Sequence, residues 1–198
     1  MSKGRVNQMV TQAFPEIKTV SEAKRTWPNK IAIRVEERIP GFVIVSNSKY
    51  FLVDEDGIVV REITDAKNLL LVADQTAEDF GTAEALPNTK FAPFVMSMTK
   101  QWASKINSPI SSIKFSEKTS NDVQFKTSEG WEALFDTTRP VSSQLTNLAV
   151  LLSKEISAKD RANLAYIDLR LSNLAYICLK ASPCEQKPQP ADAGTTTN

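Results

Sequence analysis

Serine and lysine stand three residues apart at Ser21/Lys24, Ser46/Lys49 and Ser111/Lys114, the spacing of nucleophile and base in penicillin-recognising enzymes. In a chain rich in both residue types such pairs arise by chance. No Lys-Thr-Gly or Ser-x-Asn motif follows them in order, and the flanking segments read as strands and turns, leaving a Ser/Lys hydrolase only as the enzymatic alternative. Asp54-x-Asp56-Gly57 begins like a calcium loop, but Ile58, Val59, Val60 and Arg61 follow where further oxygen ligands and a bidentate glutamate are needed. A solvated hairpin turn fits that stretch better. The chain has no histidine, which excludes His-based triads and His-ligated zinc. Its six glycines are scattered singly, so there is no phosphate-cradling loop. No catalytic residue, metal or cofactor is expected.

The two cysteines, Cys178 and Cys184, are six apart and match no metal or redox spacing. With Cys178 in a strand, an extended chain carries Cys184 too far away for a disulfide unless Pro183 turns it back. They read as one half-buried thiol and one thiol in a tail, which leaves the compartment open.

The elements that must position any site follow from composition and period. With 198 residues, 41% hydrophobic and 24% charged, the chain can bury a core as one domain or two small ones. Lys+Arg 24 against Asp+Glu 23 gives no net field toward nucleic acid or an anionic membrane surface. No apolar run approaches the roughly 18 residues that span a bilayer. The N-terminus MSKGRVNQMVTQAF lacks the apolar core of a signal peptide, so the chain reads as soluble.

Val6, Met9, Val10 and Ala13 recur at helical spacing, and Phe14-Pro15 closes that helix. Ile17 to Arg25 predicts a strand, Trp27-Pro28-Asn29 a turn, and Ile31, Ile33 and Val35 a half-buried strand. Pro40-Gly41 breaks the pattern and reads as a hinge. Beyond it, Phe42–Val45, Tyr50–Val53 and Ile58–Arg61 form a meander whose turn holds Gly57 where positive φ is needed. Residues 65–90 predict a strand and an insertion. Phe91, Phe94, Val95, Met98 and Trp102 form a helical stripe. Three strands follow, over 112–115, 122–126 and 131–135, then a helix from Pro140 to Ile156 burying Val141, Leu145, Leu148, Leu152 and Ile156. Strands over 164–171 and 174–180 end the fold, and the Pro-, Gln-, Ala- and Thr-rich residues 181–198 read as a disordered tail.

The final strand is apolar on both faces, with Leu174, Tyr176 and Cys178 on one and Ala175, Ile177 and Leu179 on the other. Either helices and sheet interior cover both faces, or the strand lies at an edge and accepts a partner's strand by β-augmentation.

Two segments, WPNKIAIRVEERIPGFVIV at 27–45 and AYIDLRLSNLAYICLK at 165–180, with the Tyr50–Val60 stretch YFLVDEDGIVV between them, resemble the extracytoplasmic part of bacterial cell-division proteins of the FtsQ/DivIB family. The resemblance covers residues 5–180 and is thin between 63 and 110. It implies an α+β chain: the C-terminal half of a truncated POTRA-like domain (1–39), a mixed β-sheet domain with flanking helices (40–180) and the tail. The interdomain hinge falls at Arg38, Pro40 and Gly41. Family members carry a membrane helix before the POTRA domain, so a cytoplasmic tail, that helix and the first POTRA strand are expected to be missing from this chain.

The resemblance further implies a non-enzymatic divisome scaffold on the extracytoplasmic face of the cell membrane at the septum. Its partners would be an FtsB/DivIC-like coiled-coil protein and FtsL, with no nucleic acid. Arg170 would pair with a partner carboxylate. The strand Asn173 to Leu179 would offer backbone bonds, and Leu171, Leu174, Tyr176, Cys178 and Leu179 side-chain contacts. Leu171 and Leu179 stand where several relatives have aromatic residues. A different POTRA-type scaffold, of outer-membrane assembly or secretion, is the alternative among binding modules, and the lack of repeats and barrel strands speaks against it.

Overall fold

In the computed structural model, which describes residues 2–66, 69–75, 79–115, 120–172, 174–181 and 184, the chain opens with α1 (Lys3–Ala13) and a hairpin of β1 (Ile17–Thr26) and β2 (Lys30–Glu37). Val6 of α1 and Val20 of β1 are the buried apolar side chains of this unit, and Met9 stays exposed. Asn7 ties helix to strand, its Oδ1 accepting from the Val20 amide at 2.7 Å and from Thr19 Oγ1 at 3.1 Å. The expectation that β2 is half-buried fails. Ile31 and Ile33 are exposed, because α1 packs on β1 and leaves β2 uncovered.

The rest builds one mixed sheet from β3 (Pro40–Ser46), β4 (Lys49–Asp54), β5 (Val59–Ile63), β6 (Leu70–Asp74), β7 (Ile110–Phe115), β8 (Asp122–Thr127), β9 (Glu132–Asp136), β10 (Leu164–Asp168) and β11 (Tyr176–Leu179). Their spatial order is β11-β10-β9-β8-β7-β6-β3-β4-β5. Two antiparallel meanders, β3-β4-β5 and β7-β8-β9, are joined by β6, which runs parallel to both β3 and β7. β10 returns parallel to β9 after a crossover, as parallel neighbours require.

Helices α2 (Phe91–Lys105) and α3 (Val141–Val150) cover one face of this sheet with the apolar stripes their periodicity promised. Trp102 stacks on Phe125 with ring centroids 5.7 Å apart and donates from Nε1 to the Ser108 carbonyl at 2.7 Å. α3 ends earlier than expected and widens into a π turn over Leu151–Glu155, yet Leu145, Leu148, Leu152 and Ile156 are buried as predicted. A short helix, α4 (Ala158–Ala162), was not expected; Ser157 caps it, its Oγ accepting from the Asp160 amide at 3.1 Å. On the opposite sheet face Val43, Leu52 and Val60 form a smaller cluster backed by Ala66 and Leu69.

Pro40 and Gly41 do not interrupt the sheet but begin β3, with Pro40 opposite Asp54. A Cβ at Gly41 would lie 3.1 Å from the Asp54 backbone, so this position serves a close approach between strands. Gly57 has φ +87° as predicted. Asp54 accounts for the Asp-x-Asp-Gly pattern: its Oδ1 accepts from the amides of Asp56 (3.0 Å) and Ile58 (2.7 Å), which closes the turn. The expected tail lies outside the described residues apart from Ala181 and Cys184. Among the described residues no helix is long and apolar enough to cross a membrane.

Candidate partner-binding edge

Among the described residues β11 is an edge of the large sheet, bonded to β10 alone. The register places Leu179 opposite Leu164, Cys178 opposite Tyr166, Ile177 opposite Ile167 and Tyr176 opposite Asp168. Ile177 and Leu179 therefore share the core face with Ile167 and Leu164, while Tyr176 and Cys178 point to the other face. Leu179 is half-buried and packs on the core, whereas Tyr176 is 54% exposed and lies over Tyr166 with ring centroids 6.5 Å apart. The Lys180 amide donates inward to the Asn163 carbonyl at 2.7 Å. Successive amides of a strand point to opposite sides, so those of Leu179 and Ile177 face the open side.

The cysteine expectation is overturned. Cys178 and Cys184 form a disulfide with Cα atoms 5.7 Å apart, because a turn at Lys180–Ala181 reverses the chain. The bridge holds Cys184 against Cys178, which is buried.

Arg170 sits at the end of β10, held by two carboxylates of its own chain. Its Nε donates to Asp168 Oδ1 at 2.9 Å, its Nη2 to Asp168 Oδ2 at 2.6 Å, and its Nη1 to Asp122. Burial alone would raise the Asp168 carboxyl, but the Arg170 hydrogen bonds and charge outweigh it and hold that group below its ordinary value. Hydrogen bonding to Asp168 raises the Arg170 guanidinium above its ordinary value, against burial, with Asp122 adding to the rise. Asp122 is the looser partner, with 46% of its side chain exposed against 19% for Asp168.

Leu171 and Leu174 are exposed, and Asn173 lies outside the described residues. Arg139 was not anticipated: its Nη1 donates to the carbonyls of Leu169 (2.6 Å) and Leu171 (2.8 Å) and so fixes the connection leading to β11. Arg38, Pro40 and Gly41 are elsewhere, six strands across the sheet. The Ser-x-x-Lys pairs form no dyad. Ser21 Oγ donates to the Arg34 carbonyl, Ser46 Oγ to Asp74, and Ser111 Oγ to the carbonyls of Lys126 and Thr127. Among the described residues no cluster of potential metal ligands occurs.

Comparison with known proteins places this sheet. The family model for the cell division protein FtsQ/DivIB, C-terminal, matches residues 42–170, well over half of the chain. A stretch of 52 residues is 35% identical to the cell division protein DivIB of Clostridium tetani (strain Massachusetts / E88), covering 26% of this chain and 20% of that relative. The matched stretch thus spans about a fifth of the curated relative's length.

Proposed function

The chain belongs to the FtsQ/DivIB family of cell-division proteins, and on that premise we propose that it is a non-enzymatic scaffold that captures a partner strand along β11 at the division septum. The single observation that carries this reading is the open side of β11, where among the described residues the Ile177 and Leu179 amides face no strand. The partner is the FtsB/DivIC-type coiled-coil protein with its FtsL-type companion. Its strand adds beside β11, and Tyr176 on Tyr166 offers an aromatic platform to its side chains. A partner carboxylate takes the place of Asp122 on Arg170. Releasing Asp122 costs little, because it is half exposed and water replaces the bond.

Residues 1–39 serve in this reading as the C-terminal part of a POTRA-like domain, and residues 40–180 as the partner-binding domain. The Cys178–Cys184 disulfide supports an extracytoplasmic setting, since such bridges persist in oxidising compartments.

A calorimetric titration with the soluble region of the FtsB/DivIC-type protein of the same genome tests the reading. Wild type should bind with micromolar or tighter affinity. Ile177→Pro removes an open-side donor, and the variant, shown folded by circular dichroism, should bind at least about tenfold more weakly. Absence of wild-type binding, or equal binding by the folded variant, rejects strand addition at β11.

A further inference from the structure

The pole of the hairpin farthest from Arg38 carries apolar and cationic side chains that the β11 edge does not use. β2 runs from Lys30 toward the junction with the large sheet, and eight residues at about 3.3 Å each set its start roughly 25 Å from that junction. Trp27, in the turn, is 89% exposed, and Ile31 and Ile33 are exposed behind it. Val6 of α1 lines a cavity of about 250 Å³ together with Ala23, Arg25, Asn29 and Ile31, so the first turn of α1, with Lys3 and Arg5, lies at the same pole.

The overall charge balance conceals a segregation. Residues 1–39 hold eight Lys/Arg against four Asp/Glu. Three of the acids, Glu16, Glu36 and Glu37, lie at the junction end, while the pole carries Lys3, Arg5, Lys24, Arg25 and Lys30. Glu22 pairs with Lys24 and lies 3.9 Å from Arg34. Among the described residues Lys3, Arg5, Arg25 and Lys30 make no ion pair.

We infer that this pole docks on an anionic phospholipid surface, with Trp27 entering the headgroup layer and Lys3, Arg5, Arg25 and Lys30 attracted to its phosphates. An indole is favoured at the membrane–water interface, with an apolar body and a polar N–H. Basic side chains near an anionic leaflet add attraction that falls off within a Debye length. The shape selects lipid over a protein. Trp27 projects from a convex turn, and a fluid headgroup layer closes around such a projection, whereas a folded partner would need a matching pocket.

The test uses the whole chain with vesicles of phosphatidylglycerol mixed with phosphatidylcholine, and of phosphatidylcholine alone. Trp102 and Trp131 are buried, so a wavelength shift in tryptophan emission reports Trp27. Co-sedimentation and a blue shift are expected with the anionic vesicles, weaker at high salt and absent with the zwitterionic ones. Trp27→Ala should abolish the shift and weaken sedimentation at least about tenfold. Arg25→Glu and Lys30→Glu should each weaken it at least about fivefold, since each removes one cation and adds an anion. These positions are exposed, so circular dichroism should be unchanged. No sedimentation with anionic vesicles at low salt overturns the inference, as does wild-type sedimentation by Trp27→Ala. A blue shift with soluble polyglutamate but not with vesicles also overturns it, in favour of an acidic protein partner. Each of these results leaves the titration at β11 unaffected.

Discussion

Arg38 and Asp54 form one ion pair that joins the helix–hairpin unit to the large sheet: Arg38 Nη1 donates to Asp54 Oδ2 at 2.8 Å and its Nε to the Pro15 carbonyl at 3.0 Å. The carboxylate is 1% exposed, and its other oxygen closes the β4–β5 turn. The Arg38 amide adds a bond to the Glu16 carbonyl at 2.8 Å, and the Glu55 amide one to the Ile39 carbonyl at 3.2 Å. Residues that read as a hinge are thus bonded on both sides.

Arg38→Ala should therefore cost about 3 kcal/mol, because it leaves a buried carboxylate without its cation. Urea denaturation measures it. A loss within about 0.5 kcal/mol, the range of ordinary surface changes, would mean that the pair does not hold the junction.

Gln144 links α3 to the end of β9. Its Oε1 accepts from the Asp136 amide at 3.0 Å, and its Nε2 donates to the carbonyls of Asp136 (2.9 Å) and Arg139 (3.2 Å), with the Gln144 side chain itself fully buried. Gln144→Leu keeps the volume and strands these backbone groups, so it should destabilise by roughly 2–4 kcal/mol. If chemical denaturation finds the variant as stable as wild type, water has replaced the amide.

Acid should loosen the β11 end in a defined window. The Asp168 carboxyl titrates below its ordinary value of 3.8, so its contribution is present above about pH 4 and is lost as pH falls through the folded-state value. Arg170 is pushed further up and stays charged throughout. Urea midpoints of wild type should exceed those of Asp168→Asn near pH 7, and the gap should narrow once pH falls below 3.8 and toward the lower folded-state value. A gap that is constant with pH would rule out this source.

Breaking the disulfide with Cys184→Ser should cost about 2 kcal/mol at most, since the loop it closes is short. The loss should be local. Hydrogen exchange should speed at 176–181 while β3 and β7 keep their protection, and a uniform rise across the sheet would contradict that.

The helical stripes of α2 and α3 and the alternation of β7, β8 and β9 were plain in the sequence, because each buries one face against one core. The Gly57 turn was legible for the same local reason. The failures are tertiary. That Pro40 already belongs to β3 depends on Asp54 opposite it. The disulfide depends on a turn that residue spacing does not specify. Ile31 and Ile33 alternate as a buried face should, and α1 leaves them uncovered. At the β11 edge, the family resemblance assigns Arg170 a partner's carboxylate and passes over Asp168 two residues away, while Asp122 is 48 residues away in sequence and the carbonyl partners of Arg139 are 30 and 32 away. No local pattern records such distances.

The sheet also works as a ruler. Six strand spacings of about 4.8 Å set β11 roughly 29 Å from β3, where the helix–hairpin unit is fastened. Each step turns the strand direction by about 20–25°, so the two ends are rotated by well over 100° relative to each other. If the two proposed contacts both form, they would lie at opposite ends of this span and meet the sheet at steeply different angles.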